Sequence, residues 1–142
     1  MREVKRSALV ARPAAELFGL INDIESYPQF LPWCASARVE SRTPHEIVAT
    51  LAVRQGALHG EFTTRNTLEP ERRVRMQLVS GPFRVLQGEW LLTPLGAAGC
   101  RVELSMRFAF RNPLTALVFE RQFAATVGAL VDAFVARART RS

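Results

Sequence analysis

The sequence predicts an α+β fold in which a curved, seven-strand antiparallel sheet closes around one long C-terminal helix, with two short helices near the N-terminus. Three observations carry this. Between Ala35 and Phe110 apolar residues recur at every second position, the period of strands with one covered and one solvated face. The turns between these runs are short, as hairpins require. From Asn112 to Arg139 the period becomes helical, and no proline interrupts it after Pro113.

Val4 to Ala11 reads as the first strand, ended by Arg12-Pro13. Pro13 then opens a helix through Ile24, with Leu17, Phe18, Leu20, Ile21 and Ile24 as its apolar side. The passage Tyr27-Pro28-Gln29-Phe30-Leu31-Pro32-Trp33-Cys34 follows, and its two prolines allow only a short turn of helix. Ala37 and Val39 begin the alternation. Beyond a turn at Thr43-Pro44-His45, Ile47, Ala49, Leu51 and Val53 continue it. After Gln55-Gly56, one face carries Leu58, Gly60, Phe62, Thr64, Asn66 and Leu68. Val74, Met76 and Leu78 come next, then a break at Ser80-Gly81-Pro82. The strand from Phe83 to Leu92 turns Leu86, Gly88, Trp90 and Leu92 to one face. The last strand alternates most cleanly, with Val102, Leu104, Met106, Phe108 and Phe110 against Arg101, Glu103, Ser105 and Arg107.

In the final stretch Asn112 suits a helix cap and Pro113 the first helical position. Phe119, Phe123, Val127, Leu130, Val131, Phe134 and Ala138 fall on one side, opposite Arg121, Ala125, Ala129, Asp132, Ala136 and Arg139. The stretch reads as one uninterrupted helix of about seven turns.

A hydrophobic content of 48% with 23% charged residues is that of an ordinary globular protein, and 142 residues suffice for one domain with its own core. No apolar run reaches the roughly 18 residues of a membrane span, and the start Met1-Arg2-Glu3-Val4-Lys5-Arg6 lacks a signal-peptide core. A cytoplasmic protein is expected. Cys34 and Cys100 stand apart from each other and from any metal-binding spacing, so both are expected reduced and partly buried. The net charge of +6 comes mainly from arginines, with clusters at Lys5-Arg6, Arg72-Arg73-Arg75 and Arg137-Arg139-Arg141. No aromatic residue is interleaved with them. A merely solvated basic surface and a phosphate-bearing partner, RNA or an anionic membrane, therefore stay equally open, and no DNA partner is expected. Arg38, Arg42, Arg54, Arg65, Arg73, Arg75, Arg101 and Arg107 all fall opposite the apolar face, so the outer, convex side of the sheet is expected to be net positive.

His45 and His59 lack metal-ligand partners at useful spacing, and Cys34 has no neighbouring histidine to activate it. Neither a phosphate-cradling glycine loop nor a nucleophile elbow occurs. Catalysis and a metal site are not expected. Three inward oddities remain: Thr64 and Asn66 beside Phe62 and Leu68, Gly88 between Leu86 and Trp90, and Glu120 at the edge of the helix stripe. Inward polar groups cost a few kcal/mol unless hydrogen-bonded. Two readings stay open: local pairing, or a cavity whose few polar groups orient an apolar ligand.

The Tyr27–Cys34 passage, which follows Asn22-Asp23-Ile24, combines with Phe62-Thr63-Thr64-Arg65-Asn66 and Gly81-Pro82-Phe83-Arg84-Val85-Leu86-Gln87-Gly88-Glu89-Trp90. In that order they resemble the coenzyme Q-binding START-domain family, related to polyketide cyclases, whose bacterial members include RatA-type ribosome association toxins. The similarity spans essentially the whole chain. It implies the helix-grip fold, with a tunnel between sheet and long helix. It further implies binding of ubiquinone or a similar isoprenoid lipid, support of respiratory electron transfer, no catalysis and no required cofactor. For some bacterial members it implies binding to the large ribosomal subunit and a block of subunit association.

Carried over, Tyr27, Pro28, Phe30, Pro32, Trp33 and Cys34 form the tunnel mouth, while Phe62, Asn66, Phe83, Leu86 and Trp90 stand on the sheet side. Phe18, Ile21, Thr64, Leu78, Phe108, Phe119, Phe123, Val127, Leu130 and Phe134 complete the expected wall. One departure is Leu92, where the family often has an aromatic residue.

Three functions compete. A quinone-binding protein ranks first. A ribosome-binding inhibitor of translation would use Arg38, Arg73, Arg75 and Arg107, and its affinity would fall steeply with salt. A cyclase-like enzyme needs a proton-transfer group within reach; Glu120 is the nearest, and an arginine is expected to hold it. The mouth residues Tyr27, Phe30, Leu31 and Trp33 are expected to be mobile and to touch an anionic bilayer transiently, keeping the protein peripheral to the inner membrane.

Overall fold

The computed structural model describes residues 1–140, so Arg141 of the C-terminal basic cluster lies outside the described residues. The seven strands are β1 (Arg2–Val10), β2 (Cys34–Arg42), β3 (Glu46–Gln55), β4 (Leu58–Glu69), β5 (Arg73–Ser80), β6 (Phe83–Pro94) and β7 (Cys100–Phe110). They form one sheet in the order β1-β7-β6-β5-β4-β3-β2. Every neighbouring pair is antiparallel. The chain thus meanders from β2 to β7, as short hairpin turns dictate, and β1 closes the far edge against β7.

Between β1 and β2 lie α1 (Ala14–Asn22) and a 3-10 helix (Ile24–Gln29) that contains Pro28. Pro13 caps α1 in an extended conformation, and Asp23 leaves helical backbone at φ −86°, ψ 64°. The helix expected through Ile24 therefore ends at Asn22 and resumes as the tighter form.

The long C-terminal helix opens as its sequence requires. Asn112 Oδ1 accepts from the backbone N–H groups of Leu114 at 2.8 Å and Thr115 at 3.4 Å, and Pro113 follows the cap. It is not uninterrupted: α2 (Pro113–Gly128) and α3 (Leu130–Thr140) are separated at Ala129. There the Ala129 N–H is shared between the carbonyls of Ala125 at 3.1 Å and Thr126 at 3.2 Å. The ladder tightens toward 3-10 geometry next to Gly128, the weakest helix former in the stretch after Pro113. The faces are those expected, with Phe123, Val127, Val131, Phe134 and Ala138 buried and Arg121, Ala125, Ala129, Asp132, Ala136 and Arg139 exposed.

Sheet and helices share one core, in which Leu17, Val102, Phe108, Phe134 and Ala138 are among the most deeply buried side chains. By length and composition Pro113–Thr140 could also cross a membrane, a property the interrupted apolar run conceals in the sequence. Its inward stripe is instead packed on the sheet.

Candidate functional site

Where α2 and α3 pass over the concave face, the two surfaces do not meet completely. They leave an apolar cavity of about 80 Å³. Its sheet side carries Ala49, Leu51, Phe62, Thr64, Asn66, Met76, Leu86, Trp90 and Met106. Phe123, Thr126, Val127, Leu130 and Phe134 line the helix side, and Ile24, Tyr27, Leu31 and Trp33 come from the connection before β2. Sites for drug-sized ligands occupy about 300–1,000 Å³. This conformation therefore encloses room for a small ring, and a long isoprenoid tail would require the helix and sheet to part.

Aromatic clusters close the cavity at two places. On one side Phe83 and Phe110 stack at 4.8 Å, Phe108 meets Phe123 edge-on at 4.8 Å, and Phe62 meets Phe83 at 5.8 Å. On the other, Phe134 receives Tyr27 at 5.4 Å, Phe30 at 5.1 Å and Trp90 at 5.2 Å, all edge-on. Such pairs add stabilisation beyond their buried area. A separate depression between Leu31-Pro32-Trp33 and the small residues Ala125, Ala129 and Ala133 at the helix break shares Leu31, Trp33, Thr126 and Leu130 with the cavity wall.

Few polar groups face this space, and each has a definite state. Thr64 Oγ1 donates to Asn66 Oδ1 at 2.9 Å, while the Asn66 amide nitrogen has no hydrogen-bond partner among the described residues. Asn66 is only 7% exposed. Tyr27 donates its hydroxyl to the Ile21 carbonyl. Burial, reinforced by Cys34 and Asp23, pushes the Tyr27 pKa up. Off the cavity, burial likewise pushes the Cys34 thiol up to about 11, and its Sγ donates to the Ser36 carbonyl at 3.4 Å. Gly88 is explained by its neighbours: a Cβ there would lie 2.7 Å from Met106 Sδ and 3.0 Å from Met76 Cε. The missing side chain is replaced by two methionines that fold over it and line the cavity.

The expected wall is thus only partly assembled. Tyr27, Trp33, Phe62, Thr64, Asn66, Leu86, Trp90, Phe123, Val127, Leu130 and Phe134 line the cavity. Phe83 and Phe108 stand behind it in the aromatic cluster, and Phe119 and Leu78 pack on the core away from it. Ile21 is buried on the inner side of α1, and Phe18 borders an outer groove with Asn22, Ile47 and Leu68. The expected mouth is corrected as well. Pro28 is exposed, Cys34 is buried off the cavity, and Phe30 packs on Tyr27 and Phe134 beneath Arg137. Pro32 borders the neighbouring depression and not the cavity. Leu31, expected at a mobile surface, is 1% exposed. Ile24, Leu31, Ala49, Leu51, Met76, Met106 and Thr126 line the cavity without having been proposed as ligand-wall residues. Inward alternation placed Ala49, Leu51, Met76 and Met106 on the correct face, so that signal was present.

The convex face is less positive than expected. Lys5, Arg38, Arg54, Arg65, Arg73, Arg75, Arg101 and Arg107 stand there among Glu3, Glu40, Glu46, Glu61, Glu69, Glu89 and Glu103, so cations and carboxylates nearly balance. Arg38 bonds Glu40 at 2.6 Å and approaches Glu61 at 3.6 Å; Arg73 reaches Glu89 at 3.0 Å. Arg107 lies 3.8 Å from Glu3, and Arg75 lies 4.0 Å from Glu89. Arg42 leaves this face altogether. A register shift between Val39 and Ser41 precedes it, and its guanidinium reaches the Asn22 carbonyl at 3.3 Å and Glu25 at 3.2 Å. Glu120 is held by Arg2 at 3.9 Å on the surface, outside the cavity wall, as expected of a paired carboxylate. Among the described residues no group of three or more His, Cys, Asp or Glu could hold a metal ion.

The model of the polyketide cyclase/dehydrase and lipid transport family matches residues 10–135. The chain belongs to this family. Within it, the chain is 40% identical over 139 residues to the ribosome association toxin RatA of Escherichia coli strain K12, covering 98% of this chain and 88% of that protein. Among solved structures, TTHA0849 from Thermus thermophilus superposes with a TM-score of 0.86 at 19% identity, covering 99% of each chain. The ZhuI aromatase/cyclase from Streptomyces sp. R1128 superposes with a TM-score of 0.80 at 20% identity, covering 99% of this chain and 94% of that one. These two are likenesses of fold. The resemblance read from Tyr27–Cys34 and the two strand motifs is borne out, as is the α+β helix-grip architecture.

Proposed function

We propose that the chain is a ribosome-associating protein of the RatA kind, acting in the cytoplasm by binding rather than by catalysis. The observation that carries this is its 40% identity to RatA over nearly its whole length. The cavity wall supports the non-catalytic part of the reading: of its residues only Tyr27 ionises, and its proton is committed to Ile21 and held more tightly by burial. A general acid or base should have a pKa near the working pH.

A surface that suits a phosphate backbone is the shallow groove of about 310 Å³ across the outside of β1, β7, β6 and β5. Lys5, Arg75 and Arg107 border it, with Gln77, Gln87 and Ser105 as further donors. Its carboxylates, Glu3 and Glu89, hold the arginines in exposed pairs worth about 0–1 kcal/mol, which a phosphate can replace. The test is co-sedimentation of the purified protein with isolated ribosomal subunits. Migration with a subunit is expected, and failure to migrate with either one refutes the reading.

A second reading, an apolar ligand such as the head of ubiquinone, is favoured by one observation. Asn66 lines the mostly apolar cavity, and its amide nitrogen, which has no partner among the described residues, can donate a hydrogen bond to a ligand oxygen. Mass spectrometry of an organic extract of the purified protein tests it: a bound quinone is the expected species, and an extract without any stoichiometric apolar compound rejects it.

A further inference from the structure

The first turns of α2 are apolar on two opposite sides. Phe119 and Phe123 turn toward the core, while Leu114, Leu117 and Val118 are 71%, 82% and 63% exposed. At helical spacing these three and Arg121 form a single stripe on the side away from Phe123. Solvent-facing apolar residues scattered singly need no explanation, whereas a contiguous stripe marks a contact surface.

The surroundings of this stripe select its partner. Arg111 precedes the helix cap; its backbone N–H donates to the Pro82 carbonyl at 2.9 Å and its Nη2 to the Gly81 carbonyl at 2.6 Å. These bonds bring the β5–β6 turn, with exposed Val79 on one flank and exposed Arg84 on the other, to the start of the helix. Arg84, Arg111 and Arg121 are exposed and form no ion pair among the described residues. The sole carboxylate of α2, Glu120, is already held by Arg2. The end of the molecule is therefore an apolar stripe rimmed by uncompensated arginines.

We propose that the N-terminal half of α2 docks on an anionic phospholipid bilayer. Leu114, Leu117 and Val118 enter the boundary between headgroups and acyl chains, and Arg84, Arg111 and Arg121 meet the lipid phosphates. A second copy of the chain is the poorer occupant, because pairing two such stripes brings like-charged arginines together. The surface differs from the Tyr27–Trp33 passage, where Leu31 is buried and Tyr27 and Phe30 are packed against Phe134.

Flotation with phosphatidylcholine vesicles, with and without phosphatidylglycerol, tests the proposal. The wild type is expected to float with the anionic vesicles and to be released by salt. The double variant Leu114→Ser/Leu117→Ser should bind about tenfold more weakly. Arg121→Gln should bind severalfold more weakly to anionic vesicles only. All three side chains are exposed, so the thermal midpoint should be unchanged and a folding defect is separable. Wild-type protein that does not float, or a leucine variant that floats as well as the wild type, overturns the proposal. So does a dimer in sedimentation equilibrium that the leucine variant dissolves, which would assign the stripe to a second copy.

Discussion

Thr126 Oγ1 donates to Gln55 Oε1 at 2.6 Å, tying α2 to the end of β3 beside the depression lined by Trp33 and Leu130. The same hydroxyl lies 3.1 Å from the Gln122 carbonyl, so its single proton serves one acceptor at a time. Thr126→Val keeps the shape and removes the tie. It should lower the unfolding free energy by about 1 kcal/mol in urea titration and speed hydrogen exchange in α2 around Ala125. Exchange there at the wild-type rate would show that the bond does not restrain the helix.

The Thr64–Asn66 pair predicts a non-additive mutant cycle. Thr64→Val strands a buried carbonyl oxygen of Asn66 and should cost about 1–3 kcal/mol. Asn66→Leu with Thr64→Val replaces both partners by apolar groups and should restore most of that loss. Denaturant midpoints of the three variants measure it; simple additivity would contradict the pairing.

Two glycines should respond in opposite ways to alanine. At Gly88 the new methyl meets the flexible ends of Met106 and Met76, which can move into the cavity, so the cost should stay below about 1 kcal/mol. At Gly81 φ is +148° and the methyl would lie 2.7 Å from Phe62 Cβ and 3.2 Å from Phe62 Cα, where the backbone cannot yield. Gly81→Ala should cost about 1–3 kcal/mol. Thermal unfolding ranks the two, and the reverse order would refute the packing described.

Stability should fall at alkaline pH. Burial raises the Cys34 thiol from 9.0 to about 11, so the folded state holds a proton that the unfolded chain releases first. The associated stability is fully present below about pH 9 and is lost as pH rises toward about 11. Cys34→Ala should flatten that part of the stability profile, on the order of 2 kcal/mol in total. A profile equally steep in the variant would assign the loss to other groups.

What the sequence made legible was whatever depends on local period. Alternation placed Phe62, Asn66, Leu86 and Trp90 on the concave face, and helical spacing placed Phe123, Val127 and Phe134 opposite them. It could not say how closely those faces approach, because Phe83, Phe108 and Phe110 fill space that alternation alone leaves undetermined. The pairing of Arg38 with Glu61 and of Arg65 with Glu46 depends on strand register, so the nearly balanced convex face was hidden. Arg42 changed sides through a bulge that leaves no turn signal. The exposed stripe of Leu114, Leu117 and Val118 was readable on a helical wheel, but the stronger inward stripe of phenylalanines drew the assignment of faces.

Association with the ribosome is read out by a salt series of subunit co-sedimentation. Binding should weaken steeply with salt, because displaced counterions accompany each phosphate contact. Arg75→Gln with Arg107→Gln should reduce the slope of log affinity against log salt by about 2 while leaving the thermal midpoint nearly unchanged. Co-sedimentation that is absent at every salt concentration, or equally strong and equally salt-sensitive in the double variant, would contradict the claim or the surface assigned to it, respectively.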